Sequence, residues 1–270
     1  MSVEHTSTQP AVSRNRWRIH LALIAGYCLL TGLLGGRRQG TYVAALSQTA
    51  SGLLWVCARE LLIFGLLFGL ACWASRASRD DLLLRWRGSF QPLLWGAGYS
   101  IALRLAISLL IAAIGMALVA TGVMSMDSLG HFASANRPRV EAVVNVAALR
   151  HNPAYFWLTL TLVSFVVAGL REELWRSAFL AGMQALWPRQ CASRAGQILA
   201  VVICAVVFGF AHLAMGWLAA CMAGLLGVGL GLIMIFHRSI WPAVFAHGIF
   251  DATTIALLPW VLARTTGVAS

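Results

Sequence analysis

The sequence is poor in charge and has no lysine. Charged residues make up 11% of the 270, and only nine residues are acidic. A soluble domain carries about 25% charged residues, so this deficit excludes an ordinary water-soluble globule. All 20 basic residues are arginine, a usage that points to a GC-rich bacterial genome. No internal repeat and no low-complexity linker divides the chain, so one integral-membrane unit accounts for nearly all of it. Close cysteine pairs are missing too. Cys28, Cys57, Cys72, Cys204 and Cys221 fall in apolar runs and Cys191 in a short loop, which argues against a disulfide framework.

Long apolar runs are what the chain has in quantity. Hydrophobic residues make up 60% of it, and the mean hydropathy is +0.79. A spanning helix needs roughly 20 apolar residues. Runs of that kind lie near 17–36, 52–74, 92–121, 154–171, 196–214, 216–236 and 240–262. The third is long enough to tilt, kink or split. The expected fold is therefore all-α, a polytopic integral-membrane bundle of seven to eight transmembrane helices. A polar tail (1–16) precedes the N-terminal helices (17–121). A loop (122–153) then leads into a C-terminal helical core (154–262) and a short tail (263–270). Within the loop, Val140, Val143, Val144, Ala147 and Ala148 recur at a spacing that fits an amphipathic helix at the interface, and fits an ordinary surface helix equally well.

The net charge of +11 invites a nucleic-acid reading, but the positive-inside rule accounts for it without one. Arg14, Arg16 and Arg18 precede the first run, Arg76, Arg79, Arg85 and Arg87 follow the second, and Arg189 and Arg194 follow the fourth. With seven spans these loops share a side. The expectation is a multi-pass protein of the inner (cytoplasmic) membrane with its N-terminus in the cytoplasm. Arg137, Arg139 and Arg150 fall on the other side and weaken the bias. The first run is too long for a typical cleaved signal and is read as a retained anchor.

An ionisable residue inside a span must face the bundle and find partners, which makes it a functional candidate. Three sets stand out in the C-terminal half: Arg171, Glu172, Glu173 and Arg176; His212; and His247 with Asp251. Arg176 lies four residues from Glu172 and three from Glu173, so either glutamate can reach it. His247 and Asp251, four apart, share a face. One Glu–Arg pair could simply lock two helices, and one histidine could be an interhelical hydrogen bonder. Three such sets in three helices favour a site. A glutamate can deprotonate water, one histidine can share the proton, and a second can steady an oxyanion. Elsewhere, Arg59 and Glu60 are adjacent and expected to point apart, Glu60 is either a partner for Arg104 or each of the two snorkels, and His20 is expected at the interface.

In order and spacing these residues resemble the CAAX-prenyl protease and bacteriocin-processing (Abi) family of intramembrane proteases. The family pattern is Glu-Glu-x-x-x-Arg, then Phe-x-x-x-His, then His-x-x-x-Asn/Asp. Phe208 to His212 matches the second motif and His247 to Asp251 the third, and the resemblance covers roughly 154–260. The first motif departs from the pattern, because only Leu174 and Trp175 separate Glu173 from Arg176. Aligning on Arg176 would put Arg171 in the catalytic place, and an arginine cannot serve as a base. Aligning on the glutamates gives that place to Glu172. The resemblance implies an endopeptidase acting on a membrane-anchored protein or peptide. Glu172 and His212 would activate water, His247 and Asp251 would form the oxyanion side, and Glu173, Arg176 and Phe208 would support them. It implies no cofactor as the first reading. Zinc held by His212, His247 and Glu172 is the second. Arg171 would snorkel to the boundary. The competing classes are a transporter or channel using the same charges, and a non-catalytic bacteriocin-immunity protein.

Overall fold

The computed structural model describes residues 13–36, 47–86, 88–140 and 143–265. Most of the expected polar N-terminal tail and of the C-terminal tail lies outside them. The described residues are helical and contain no strand. They form α1 (Arg14–Gly36), α2 (Ala50–Ser75), α3 (Gln91–Ala120), α4 (Met126–Ala135), α5 (Val146–His151), α6 (Pro153–Leu158), a π-helical segment (Thr159–Leu170), α7 (Arg171–Leu186), α8 (Pro188–Cys191), α9 (Arg194–Ala211), α10 (Trp217–His237) and α11 (Trp241–Thr265). In the 137–151 stretch, continuous α-helix begins at Val146, capped by the Asn145 side chain on Ala148 N.

Helix α6, the π segment and α7 run on as one rod, Pro153–Leu186, of 34 residues. This rod, α2, α3, α9, α10 and the stretch Trp241–Val261 of α11 are each long and apolar enough to cross a bilayer. Beside them α1 packs on α2 and α7. The long third run is one unbroken helix, so no eighth span arises from it. The fourth run was expected to stop at residue 171, with its charges near a boundary. Instead the helix continues through Glu172, Glu173 and Arg176 to Leu186. The reason is local compensation. Glu173 and Arg176 pair within the helix, and Trp175, Ala178, Phe179 and Leu180 bury themselves around them, so the helix need not end to release charge to water.

Small residues set how closely the rods approach, as in membrane bundles generally. A Cβ on Gly169 would stand 2.9 Å from the Val244 carbonyl oxygen, so the π segment and α11 meet backbone to backbone. Gly209 does the same for α9 and α10, where a Cβ would fall 2.8 Å from the Ala220 carbonyl oxygen. Pro153 starts the rod where its missing N–H costs nothing, and Asn152 caps it by accepting from Tyr155 N. The π segment widens the turn, with Ser164 Oγ donating to the Thr159 carbonyl five residues back. It ends where α7 begins, so the helix changes its winding immediately before the glutamates.

Candidate functional site

The first turn of α7 carries Arg171, Glu172 and Glu173. Neighbours on a helix are turned by about 100°, so the two glutamates meet different surroundings. The Glu173 side chain is fully buried and ion-pairs with buried Arg176, three residues on. The Arg176 guanidinium also lies over the Phe208 ring, 4.7 Å from its centroid. Glu173 Oε1 sits 2.9 Å from His247 Nδ1, which donates to it. Glu173 therefore joins α7 to α11 and, through Arg176 and Phe208, to α9. Buried charges of this kind persist only when paired and hydrogen-bonded.

Glu172 keeps some exposure, 18% of its side chain. Its Oε2 stands 3.8 Å from His247 Nε2, and Asp251 Oδ2 stands 3.8 Å from the same nitrogen. Such separations exceed a direct hydrogen bond and are of the size that one water bridges. The other Glu172 oxygen accepts from Arg171 Nη2 at 2.9 Å. Arg171 in turn donates to the Tyr27 hydroxyl at 3.3 Å and lies 4.0 Å from Glu60 Oε2.

His212 follows the last turn of α9. Its Nδ1 is 2.8 Å from the Phe208 carbonyl. A carbonyl only accepts, so Nδ1 carries the proton, and in the neutral ring Nε2 is left as an acceptor. The Phe208 ring touches His212 (centroids 4.5 Å apart) and reaches His247 (6.3 Å). The structure thus gathers α7, α9 and α11 around one polar centre. Among the described residues the ring facing Glu172 is His247.

Several expectations for the remaining polar residues are corrected. Arg59 and Glu60 do pair, at 2.9 Å, because the long arginine stem folds back along its own helix. Glu60 neighbours Arg171, not Arg104. Arg171 does not snorkel away, since Glu172, Tyr27 and Glu60 hold it inside the bundle. His20 is not interfacial. It is fully buried, with Nδ1 3.0 Å from both the Ala71 carbonyl and Ser75 Oγ, and Nε2 2.9 Å from the Ala178 carbonyl. It joins α1, α2 and α7, where an unpaired polar ring would be costly. The contacts of Arg171 with Tyr27 and Glu60, and the Glu173–His247 bond, were not anticipated. Each joins helices distant in sequence, and no spacing signals them.

Zinc can be tested against the donor set. Among the described residues no three His, Cys, Asp or Glu side chains converge in a metal-holding arrangement. His247 Nδ1 faces Glu173 and His212 Nδ1 a carbonyl, an arrangement that leaves the Nε2 atom of each ring as its free donor or acceptor. The set expected for zinc, His212, His247 and Glu172, is not gathered into such a cluster among the described residues.

Residues 153–253 match the sequence model of a family described as type II CAAX prenyl endopeptidase Rce1-like. Over that segment the chain is similar to that family. The segment begins with the first residue of the 34-residue rod and ends two residues beyond Asp251, so it contains every polar group of the centre on α7, α9 and α11. The match bears out the family resemblance and implies a CAAX-type intramembrane peptidase in general terms. No curated protein and no solved structure matches the chain.

Proposed function

We propose that the chain hydrolyses a peptide bond of a membrane-associated protein or peptide, using the centre between α7, α9 and α11 without a metal ion. The observation that carries this reading is the division of labour between adjacent glutamates. Glu173 is spent on Arg176 and His247, whereas Glu172 is partly exposed and faces His247 Nε2 across a gap of 3.8 Å. Glu172 is the general base that takes a proton from water. His212, presenting Nε2 as an acceptor, shares that proton and returns it to the leaving amine. His247, oriented through Nδ1 by Glu173, presents Nε2; protonated there, it donates to the oxyanion that forms as water attacks the carbonyl, and the Asp251 carboxylate beside it favours the protonated ring. Arg171 holds the second Glu172 oxygen and fixes the rotamer, and Tyr27 and Glu60 fix Arg171. An N-terminus in the cytoplasm of a bacterial inner membrane fits the arginine distribution. A bacterial substrate would be a peptide, an anchored precursor or a C-terminal sorting tail.

A transporter could use the same charges, but the Rce1-like match favours hydrolysis. The deciding experiment uses detergent-solubilised protein and membrane-anchored peptides, with mass detection of cleaved products. Glu172→Gln is expected to abolish turnover and His212→Ala to reduce it by about 10²–10⁴-fold, with both proteins present in the membrane at wild-type levels. Turnover is expected to survive a chelator. Persistent cleavage by Glu172→Gln would remove it as the base. Loss of turnover with chelator, restored by zinc, would overturn the metal-free mechanism.

A further inference from the structure

Helices α1 and α7 pack antiparallel. Ile24 meets Trp175, His20 meets Ala178 and Arg14 meets Leu186, so the first turn of α1 lies against the last turn of α7. Between these ends an open groove of about 460 Å³ remains, with Arg14, Arg18, Ala22 and Ala25 of α1 on one side and Leu186 and Trp187 on the other. Glu172 lies near the opposite end of α7, about 20 Å away along the axis, so the groove is separate from the candidate site.

The groove is amphipathic along its length. Its four α1 residues recur at i, i+4, i+8 and i+11, which puts them on one face of the helix, with the two cations at the helix start and the two small apolar residues deeper in the bundle. Arg14 Nη2 donates to the Leu186 carbonyl at 3.1 Å, and Arg18 Nη1 donates to Asn15 Oδ1 at 3.1 Å. A guanidinium has five N–H donors, so each contact steadies the side chain and leaves donors to spare. Among the described residues neither arginine pairs with a carboxylate. Trp187, 40% exposed, stands beside them. An exposed tryptophan at a helix end favours the level of the lipid headgroups, which is where the two cations lie.

We propose that the groove between α1 and α7 binds one anionic phospholipid, its phosphate between Arg14 and Arg18 and an acyl chain over Ala22 and Ala25. Guanidinium groups suit phosphate oxygens, and basic pockets between membrane helices take anionic headgroups. The apolar floor continuing inward from the cations selects a lipid over a soluble phosphate, which has nothing to bury there. A lipid so placed touches both helices and holds the start of α1 against the end of α7, so binding should raise the melting temperature.

The test is a binding measurement and does not depend on hydrolysis. The full chain in a nonionic detergent is titrated with phosphatidylglycerol or phosphatidylcholine, with bound lipid counted by native mass spectrometry and the melting temperature followed in parallel. Phosphatidylglycerol is expected to bind about tenfold tighter and to raise the melting temperature more. Arg14→Gln/Arg18→Gln should weaken it about thirtyfold, on the order of fivefold for each arginine. Arg189 and Arg194 are exposed at the same end but outside the groove. Arg189→Gln/Arg194→Gln removes the same charge and should leave the affinity near that of the wild type. Ala22→Phe keeps both arginines, fills the apolar floor and should weaken the lipid about tenfold; it decides the matter if the arginine variant fails to accumulate. Equal losses in the two double variants would mean diffuse attraction to a basic surface and would overturn the site. Equal binding of the two lipids, or full affinity in Ala22→Phe, would overturn it as well. Displacement of the lipid by inorganic phosphate at about tenfold excess would make the groove a site for soluble anions and sink the lipid assignment.

Discussion

Replacing Arg176 with alanine should destabilise the protein far more than changing the candidate base. Glu173 and Arg176 are both essentially inaccessible to water, at 0% and 1% of their side chains. Without the guanidinium, Glu173 would stay buried with His247 as its single hydrogen-bond partner, and the Phe208 ring would lose the cation stacked on it. Breaking a buried pair from one side costs about 3–5 kcal/mol. The remaining His247 contact places this case toward the lower end. Against a typical total of about 5–15 kcal/mol, even 3 kcal/mol is a severe loss. Glu172→Gln, by contrast, changes a partly exposed group and leaves the Arg171 contact possible through the amide oxygen. The assay is membrane accumulation by immunoblot together with the melting temperature in detergent. Arg176→Ala is expected to deplete the protein and lower its melting temperature, with Glu172→Gln near wild type. The double variant Glu173→Gln/Arg176→Met removes both charges and should recover much of the loss, because no unpaired ion is left. Normal accumulation and melting of Arg176→Ala, with loss on Glu172→Gln instead, would refute the pairing.

Two further expectations concern the frame around the site. Gly169→Val places a side chain where a Cβ already meets the Val244 carbonyl at 2.9 Å and the Ser164 carbonyl at 3.2 Å, both backbone atoms. Overpacking of that kind costs about 1–3 kcal/mol and should separate α11 from the rod that carries Glu173. Activity should then fall further than stability, and equal losses in turnover and melting temperature would contradict the positioning role. His20→Ala removes a ring wedged between the Ala71 and Ala178 carbonyls, at a cost of about 1–3 kcal/mol for the buried groups left unsatisfied. It should lower the melting temperature without changing the sensitivity of turnover to Glu172→Gln, and an unchanged melting temperature would show that Ser75 alone suffices there.

The sequence by itself determined the class of the protein and the set of residues from which a site could be built. Composition and run length are enough for an all-helical membrane bundle, because lipid forces every backbone polar group to be satisfied within its own segment. Helical periodicity sorts neighbours on one element. It puts Glu173 within reach of Arg176 and stacks His247 on Asp251, since those directions depend only on residues per turn. Periodicity left both glutamates as candidates for Arg176. The choice fell to Glu173 because it is the one turned into the interior against His247, and that turn depends on how the whole rod is rotated. Rotation and depth come from packing, through contacts such as Gly169 on Val244, and from a π segment whose extra winding shifts the helix just before the glutamates. The same limit explains His20, Arg59 and Glu60. A histidine at the start of a run reads as interfacial until α2 and α7 close over it. Only the tertiary structure could place Arg171 between Tyr27, Glu60 and Glu172, or set Arg104 against Thr253 and Thr254 of α11, because a charge in a membrane bundle is settled by whichever partners on other helices come within a few ångströms of it.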